Sequence, residues 1–157
     1  MSEEWVGQVV GIQITSRAGE KMVSVQEAKA IAGKGLEGDR YLTQTGKFSD
    51  KPGPARQLTL IELESLEALQ NEDSITLSPL ESRRNIVTRG VPLNHLVDRK
   101  FRLGEVVARG VKLCEPCEYL EEITRKKVIG GLTHRGGLRA EILEGGIVRI
   151  GDRIRPA

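Results

Sequence analysis

The sequence predicts a mainly β protein that forms a closed or nearly closed β-barrel with a few peripheral α-helices. Short segments rich in Val and Ile recur along the chain, and many of its 18 glycines stand in the turns between them. Few segments have the apolar period of a helix. With 157 residues the chain can bury a substantial core, and we predict a single domain spanning residues 1–157.

The first half of the chain is predicted to be largely extended. Val and Ile predict one strand from Trp5 to Ile14 and a second from Met22 to Val25. Residues 26–32 alternate alanines with polar side chains, which favours an extended segment although their composition suits a helix. A further strand is expected at Arg56–Leu60, and Glu62–Gln70 is expected to form a helix whose leucines share one buried face.

The second half is predicted to contain two hairpins. The strands Lys100–Leu103 and Glu105–Leu113 are separated by a single glycine, which suits a tight turn between them. Near the C-terminus, Glu144-Gly145-Gly146 is expected to turn the strand Arg139–Leu143 back into a return strand, Ile147–Ile150. Hairpins of this kind place neighbouring strands side by side, as a barrel requires.

Composition excludes several classes of partner. The chain has 24 basic and 22 acidic residues, and its net charge of +2 is too small to require a nucleic-acid partner. Aromatic residues make up 3%, which is too few for a base-stacking platform. No apolar run approaches the roughly 20 residues of a membrane span, and Met1-Ser2-Glu3-Glu4 does not resemble a signal peptide. With its two cysteines expected to be reduced, we predict a cytoplasmic protein with neither nucleic-acid nor membrane partners.

Both cysteines lie in the segment Leu113-Cys114-Glu115-Pro116-Cys117, between a predicted strand and a predicted helix. Proline suits the start of a helix, the glutamates that follow suit its first turn, and the helix is expected to run to about Lys127. Cys117 would then lie at a helix N-terminus, where N–H groups stabilise a thiolate, although neighbouring glutamates oppose that charge. Cys114 falls nearer the strand end and suits a packed position.

Three chemistries are compatible with this Cys-x-x-Cys spacing. A structural zinc site needs four ligands, and only His95 and His134 are available as histidine ligands. A thioredoxin-like redox pair fits the local strand-then-helix order but not a mainly β chain. The third is a single working thiolate at Cys117, with Cys114 either packed beside it or forming a disulfide with an oxidised or persulfidated Cys117.

Three segments contain arginine in a context that suits an anion, and in two of them glycines let the backbone approach it closely. Gly33–Tyr41 carries three glycines next to Arg40, so it forms either a backbone cradle or a tight turn with a surface ion pair. Ser82–Val87 brings two arginines and an asparagine into a short apolar strand, which suits a phosphate or carboxylate as well as a solvated turn. Thr133–Arg139 places an arginine before two glycines. The polar segment Thr43–Ala55 is expected to be a mobile loop that suits a lid.

Taken in order, these motifs form a recognisable set. The set comprises Gly35-Leu36-Glu37-Gly38-Asp39-Arg40, Arg83-Arg84-Asn85-Ile86-Val87-Thr88-Arg89-Gly90, Leu113-Cys114-Glu115-Pro116-Cys117, Arg135-Gly136-Gly137 and Gly145-Gly146-x-x-x-x-Gly151-Asp152. It resembles the MOSC domain, the module found at the C-terminus of molybdenum cofactor sulfurases, and the resemblance runs from about Val6 to Ile154. The resemblance implies a β-barrel-like fold with a few peripheral helices.

The resemblance also implies a pocket that holds a sulfur-bearing or molybdenum-bearing group at an essential cysteine, which maps to Cys117. In molybdenum-binding relatives such as the amidoxime reductases, the thiolate ligates the metal and basic residues hold the pterin phosphate. The Arg-x-Asn element of those relatives maps to Arg83 and Asn85. The loops described above add four further candidate cofactor-binding residues, Arg40, Arg56, Arg135 and Arg139.

These residues lead to three functional hypotheses. We expect no pyridoxal-phosphate desulfurase domain in this chain, nor the N-terminal β-barrel domain that accompanies the module in amidoxime reductases. The first hypothesis is therefore a protein that binds molybdenum cofactor (molybdopterin), or carries sulfane sulfur as a persulfide, at Cys117. It would exchange that group with donor or acceptor proteins of molybdenum-cofactor or sulfur metabolism. The alternative is a minimal molybdenum-dependent reductase of N-hydroxylated compounds that uses external electron donors. In the third, the cysteines are only structural, and Cys117→Ser changes stability alone.

Overall fold

The computed structural model describes residues 5–43 and 53–157, which form eleven strands and five helices. The strands are β1 (Gly7–Ile14), β2 (Val23–Ser24), β3 (Glu27–Ile31), β4 (Gly35–Leu36), β5 (Leu58–Glu62), β6 (Ile86–Arg89), β7 (Lys100–Leu103), β8 (Val106–Leu113), β9 (Leu138–Glu144), β10 (Gly146–Arg149) and β11 (Arg153–Pro156). The helices are α1 (Arg40–Thr43), α2 (Leu63–Asp73), α3 (Pro79–Ser82), α4 (Glu118–Thr124) and α5 (Ile129–Leu132), and 3₁₀ turns lie at Pro54–Arg56 and Leu93–Leu96.

The largest sheet closes on itself. Its strand order is β11-β7-β8-β9-β5-β6-β1-β2, and an additional pairing of β11 with β1 joins Gly7 to Ile154. Seven strands therefore form a barrel, while β2 pairs with the far end of β1 and lies outside it. The predicted hairpin of β7 and β8 is one wall of this barrel. The predicted mainly β, closed barrel with few helices is confirmed.

The barrel is filled by the inward side chains of strands that alternate in burial. In β9, Leu138, Ala140 and Ile142 are all nearly inaccessible, while the residues between them are half-buried. Phe101 of β7 and Leu60 of β5 meet them in the same apolar cluster. Each large aliphatic or aromatic side chain buried in this way stabilises the fold by about 1.5–3 kcal/mol relative to an exposed one.

A second apolar cluster lies on the outer face of the barrel and holds the helices. Ile61 of β5 and Val87 of β6 pack there with Leu69 of α2, Leu120 of α4 and Leu132 of α5. The two strands pair in parallel, which is possible because α2 and α3 form the crossover between them. This cluster fixes α4 against the barrel and so positions the cysteine segment that precedes it.

The predicted hairpin between β9 and the segment Ile147–Ile150 is wrong. β10 pairs antiparallel with β3 instead, with Val148 opposite Ala28, and β4 completes a separate three-stranded sheet. Gly145 permits this crossing, because a Cβ there would lie 2.5 Å from the carbonyl oxygen of Ala30. The glycines at this point serve a close approach between two strands rather than a hairpin turn.

The helices around the cysteines differ in length and number from the prediction. α4 ends at Thr124, not near Lys127, because Arg125 adopts a left-handed conformation with φ of 57°. The short helices α3 and α5 have four residues each, too few for a periodic pattern to be recognised in the sequence. Most of the segment predicted as a lid loop, Thr43–Ala55, lies outside the described residues. Within residues 5–43 and 53–157, no helix has the length and apolar character needed to span a membrane.

Candidate functional site

A cleft where β8 ends and β6 and β9 begin contains both cysteines and both tyrosines of the chain. Its empty volume is about 460 Å³ when counted to the open mouth. The residues lining it are Arg40, Tyr41, Thr59, Arg83, Arg84, Cys114, Glu115, Cys117, Tyr119 and Arg139. Thiols, phenols and guanidinium groups thus meet in one place, although they come from segments far apart in sequence.

The two cysteines occupy different environments in this cleft. Cys114 directly follows β8, is 2% exposed, and donates its backbone N–H to the carbonyl of Gly137 at 2.8 Å. Cys117 is half-buried and is the N-cap residue of α4, with its carbonyl accepting the N–H of Glu121 at 3.2 Å. Both thiols are free, and the position of Cys117 at a helix start agrees with the sequence prediction. Cys117 is the more accessible of the two.

Arg84 anchors the backbone of the cysteine segment. Its Nε donates to the carbonyl of Gly136 at 2.9 Å, and its Nη2 donates to the carbonyl of Cys114 at 3.0 Å. Its Nη1 donates to the carbonyl of Ser82 at 3.2 Å. These carbonyls belong to three different segments, so one buried guanidinium group holds them together. Arg84 therefore positions the cysteine segment. The acceptors in these three bonds are carbonyls rather than carboxylates, so the bonds do not neutralise the positive charge of Arg84.

Arg83 lies beside Arg84 but is bonded very differently. It ends α3 in a left-handed conformation with φ of 62°, which turns the chain sharply between the two arginines. Its Nη1 donates to the carbonyl of Glu20 at 2.7 Å, whereas its Nη2 is buried and has no hydrogen-bond partner in the described part of the chain. Burial, and then the nearby charge of Arg40, lower the pKa of Arg83 below its ordinary value. A buried guanidinium nitrogen without a partner is a place where an anion would be stabilised.

The glycine-rich segment before α1 places Arg40 in the cleft. Asp39 is fully buried and accepts the N–H of Thr15 and the guanidinium of Arg40, each at 3.1 Å. Arg40 also donates to the carbonyl of Arg83 at 3.0 Å and lies over the ring of Tyr41, 4.6 Å from its centroid. The predicted turn with an Asp39–Arg40 pair is therefore present, but the pair is buried rather than on the surface.

Arg139 enters the cleft from β9. Its Nη1 donates to the hydroxyl of Tyr41 at 3.4 Å and to the carbonyl of Ala55 at 3.3 Å. Burial opposes its charged form, but the thiolate forms of Cys114 and Cys117 together with Tyr41 more than offset this and raise the pKa of Arg139. Arg139 therefore contributes a positive charge to the part of the cleft that contains the two cysteines.

Among the described residues that line the cleft, Glu115 is the only carboxylate, and it is bonded to a histidine. Glu115 accepts the backbone N–H of His134 at 2.6 Å and lies 2.8 Å from its ring Nδ1. The charge around the thiols is therefore set mainly by four arginines, of which Arg40 is paired with the buried Asp39. The cleft is suited to anions.

Three predicted cofactor-binding residues are not brought to the cleft. Asn85 is fully buried: its Oδ1 accepts the N–H and hydroxyl of Thr59 at 3.1 and 3.2 Å, and its Nδ2 donates to the carbonyl of Gln13 at 3.1 Å. It joins β5 to β1, and both its Oδ1 and its Nδ2 are bonded within the fold. Arg135 forms an ion pair with Glu72 of α2 at 2.9 Å. Arg56 lies on a 3₁₀ turn and is not among the residues lining the cleft.

The two glycines after Arg135 also have a packing role rather than a role as an anion cradle. A Cβ on Gly136 would lie 2.6 Å from the carbonyl oxygen of Cys114, and one on Gly137 would lie 2.0 Å from that of Leu60. Side chains at these positions would push the cysteine segment off the barrel. The backbone of these two glycines is therefore packed against other backbone, while Arg139 at the end of the same segment lines the cleft.

Tyr41, Tyr119 and Thr59 line the cleft but are not among the site residues predicted from the sequence. Tyr41 follows Arg40, and Tyr119 lies two residues after Cys117, so their proximity to predicted site residues was an available signal. Thr59 is buried beside Asn85 and carries no sequence signal of its own.

A protein-only metal centre is not found in the described residues. Within residues 5–43 and 53–157, no group of three or more His, Cys, Asp and Glu side chains could hold a metal ion. The zinc interpretation of the cysteines therefore receives no support there. A metal at Cys117 would have to bring most of its ligands with it.

Comparison with known proteins identifies the same module that the motifs resemble. A family model described as the MOSC domain matches residues 48–155, which is more than half of the chain. The YuaD protein from Bacillus subtilis has a similar structure over 96% of both chains, with a TM-score of 0.78 and 14% identity. YiiM from Geobacillus stearothermophilus is similar over 96% of this chain and 75% of its own, with a TM-score of 0.69 and 13% identity. YiiM from Escherichia coli is similar over 96% and 69% of the two chains, with a TM-score of 0.66 and 18% identity. At such identities the likeness concerns the fold alone. No curated protein matches the chain significantly.

Proposed function

The chain belongs to the MOSC domain family, and on that premise we propose that it binds molybdenum cofactor, or carries sulfane sulfur as a persulfide, at Cys117. One observation carries the proposal. The half-buried Cys117 thiol shares a cleft with Arg40, Arg83, Arg84 and Arg139, and the Nη2 nitrogen of Arg83 is buried without a hydrogen-bond partner in the described residues. Delivery of the bound group to an acceptor protein is the function that this arrangement supports best.

The chemistry of the cleft fits a cofactor that brings its own metal ligands. A thiolate is a soft ligand suited to molybdenum, and residues 5–43 and 53–157 contain no group of three or more His, Cys, Asp and Glu side chains that could complete a metal site. When bound, molybdenum cofactor supplies a redox-active metal that is already held by the sulfur atoms of a phosphate-bearing pterin. In this chain Cys117 would provide the protein thiolate, and the guanidinium groups of Arg83, Arg40 and Arg139 would hold the anionic groups. Arg84 keeps the cysteine segment in place through backbone carbonyls.

The persulfide form uses the same residues. The Cys117 thiolate attacks the outer sulfur of a donor persulfide, forms a new S–S bond, and releases the donor as a thiolate. Delivery reverses this: an acceptor thiolate attacks the outer sulfur, and Cys117 leaves as a thiolate. The surrounding arginines stabilise Cys117 as nucleophile and as leaving group because both are anions.

The test is the molybdenum and pterin content of the purified protein, measured by elemental analysis and by fluorescence of the oxidised pterin. The host must make molybdenum cofactor. We expect stoichiometric molybdenum and pterin in the wild type, loss of both in Cys117→Ser, and retention in Cys114→Ser as the matched control. If neither molybdenum nor a mass increase of one sulfur atom on Cys117 is found, the proposal fails. Turnover of N-hydroxylated amidines by the loaded protein with a reductase chain would identify it as a reductase rather than a carrier.

A further inference from the structure

A second groove lies next to the cysteine cleft, and Arg83 lines both. The groove has an empty volume of about 790 Å³ when counted to its open mouth. One wall is the turn after β1, which contributes Lys21 and Met22, and the other wall is formed by Leu80 of α3 and Ile123 of α4. The groove is therefore built from three separated segments, with Arg83 at its boundary with the cleft.

Its walls expose apolar surface that the fold leaves uncovered. Leu80 is 39% exposed and Ile123 is 37% exposed, and they are two of the five large apolar side chains exposed in the described residues. Both line the same groove, so they form one apolar surface rather than two isolated positions. Covering such surface with an apolar ligand is favourable in proportion to the area removed from water.

The charges along the groove favour a negative ligand. Its acidic residue, Glu81, accepts from Lys126 Nζ at 2.8 and 2.9 Å and from the N–H of Ser78 at 3.0 Å. Burial opposes ionisation of Glu81, but these bonds outweigh it and keep its pKa below the ordinary value. Glu81 is therefore already bonded to Ser78, which caps its own helix, and to Lys126, which lies two residues after α4. Lys21 and Arg83 remain as the cations that face the groove.

Arg83 provides the observation that points to a ligand. The residue is 93% buried, since its relative exposure is 7%, and its Nη2 has no hydrogen-bond partner in the described residues. A buried donor without a partner is destabilising, and an anionic oxygen that accepted its hydrogen bond would remove that penalty. A single free nitrogen suits a singly charged head group better than a dianion, which needs more donors.

We propose that this groove binds an amphipathic carboxylate, with its apolar chain on Leu80 and Ile123 and its carboxylate on Nη2 of Arg83. The ligand would lie directly beside whatever Cys117 holds. The inference shares Arg83 with the proposed function, so the two ligands compete for that nitrogen. For this reason the test uses protein made in a host that lacks molybdenum cofactor. Its outcome is then independent of the molybdenum and pterin measurement.

The test compares octanoate with its neutral analogue octanol by isothermal titration calorimetry. Wild type is expected to bind octanoate about ten-fold more tightly than octanol, as a charged hydrogen bond predicts. Ile123→Glu should weaken octanoate binding by about ten-fold or more, because it places a carboxylate in the groove. Ile150→Glu is the matched control, since Ile150 is 36% exposed and does not line the groove, and its affinity should stay within about two-fold of wild type.

Arg83→Gln separates the charge from the apolar surface. It should remove the preference for octanoate over octanol while leaving octanol binding in place. The proposal is overturned if octanoate does not bind wild type, or if octanol binds as tightly. It is equally overturned if Ile123→Glu and Ile150→Glu have the same affinity while both remain folded by circular dichroism.

Discussion

Two segments of this chain look alike in sequence and do different work in the structure. Ser82–Val87 and Thr133–Arg139 each contain arginine in a pattern that suggests an anion site. In the first, Arg83 reaches the cleft with an unpartnered nitrogen. In the second, Arg135 is paired with Glu72, and its glycines contact backbone carbonyls. An arginine can therefore bind a ligand only where the fold does not already supply its guanidinium group with a partner.

The same contrast holds between two adjacent arginines. Arg84 donates to carbonyls of three segments, while Arg83 makes one bond to Glu20 and keeps one nitrogen unpaired among the described residues. A left-handed residue at Arg83 sends the two side chains in different directions. Arg84 is thus a structural clamp, and Arg83 is the candidate ligand residue. Three predictions test these assignments.

Gly137→Ala should have the largest effect and would test the packing role of the second segment. Gly137 has φ of 122°, and a Cβ there would lie 2.0 Å from the carbonyl oxygen of Leu60. We expect a loss of about 3 kcal/mol or more in the free energy of unfolding, measured with urea. Gly130→Ala is the control, because a Cβ there meets nothing within 4 Å. Equal stability of the two variants would contradict the packing role.

Arg84→Gln should lower the free energy of unfolding by about 3 kcal/mol, because buried carbonyls of Gly136 and Cys114 lose a charged donor. The buried thiol of Cys114 should also react faster with a thiol reagent as its segment loosens. Arg83→Gln should change the unfolding free energy by no more than about 1 kcal/mol, since it removes one bond and relieves repulsion from Arg40. It should nevertheless reduce molybdenum and pterin content. Similar unfolding free energies for the two variants would remove the distinction drawn here.

Arg135→Gln should have the smallest effect. Its ion pair with Glu72 is partly exposed, so its loss should cost about 0.2–1 kcal/mol in unfolding free energy and decrease with added salt. Molybdenum and pterin content should match wild type. A large loss of either, with the protein still folded by circular dichroism, would return Arg135 to the list of ligand residues.

Much of the fold was accessible from local patterns. Short apolar segments predicted β1, β5, β7, β8 and β9, the alternating alanines predicted the extended segment that contains β3, and the leucine spacing predicted α2. These predictions are correct because the apolar period of a strand or a helix can be recognised from residues only a few positions apart in the sequence. The pairing of β10 with β3 could not be predicted, because a glycine at position 145 suggests a hairpin turn in the sequence. Its actual role, a close approach to the carbonyl of Ala30, depends on a contact between distant segments.

The candidate site also has features that the sequence predicts and features that depend on the tertiary structure. The sequence by itself determined that the strand-to-helix segment at Cys114 and Cys117 is a candidate thiol site, since residue types and spacing carry that information. Only the tertiary structure decided which arginines accompany the thiols. It places Arg40, Arg83 and Arg139 in the cleft and gives Arg135 a carboxylate partner instead. The physical reason is that a guanidinium group's availability depends on its hydrogen-bond partners, and those partners come from segments brought together by the closing barrel.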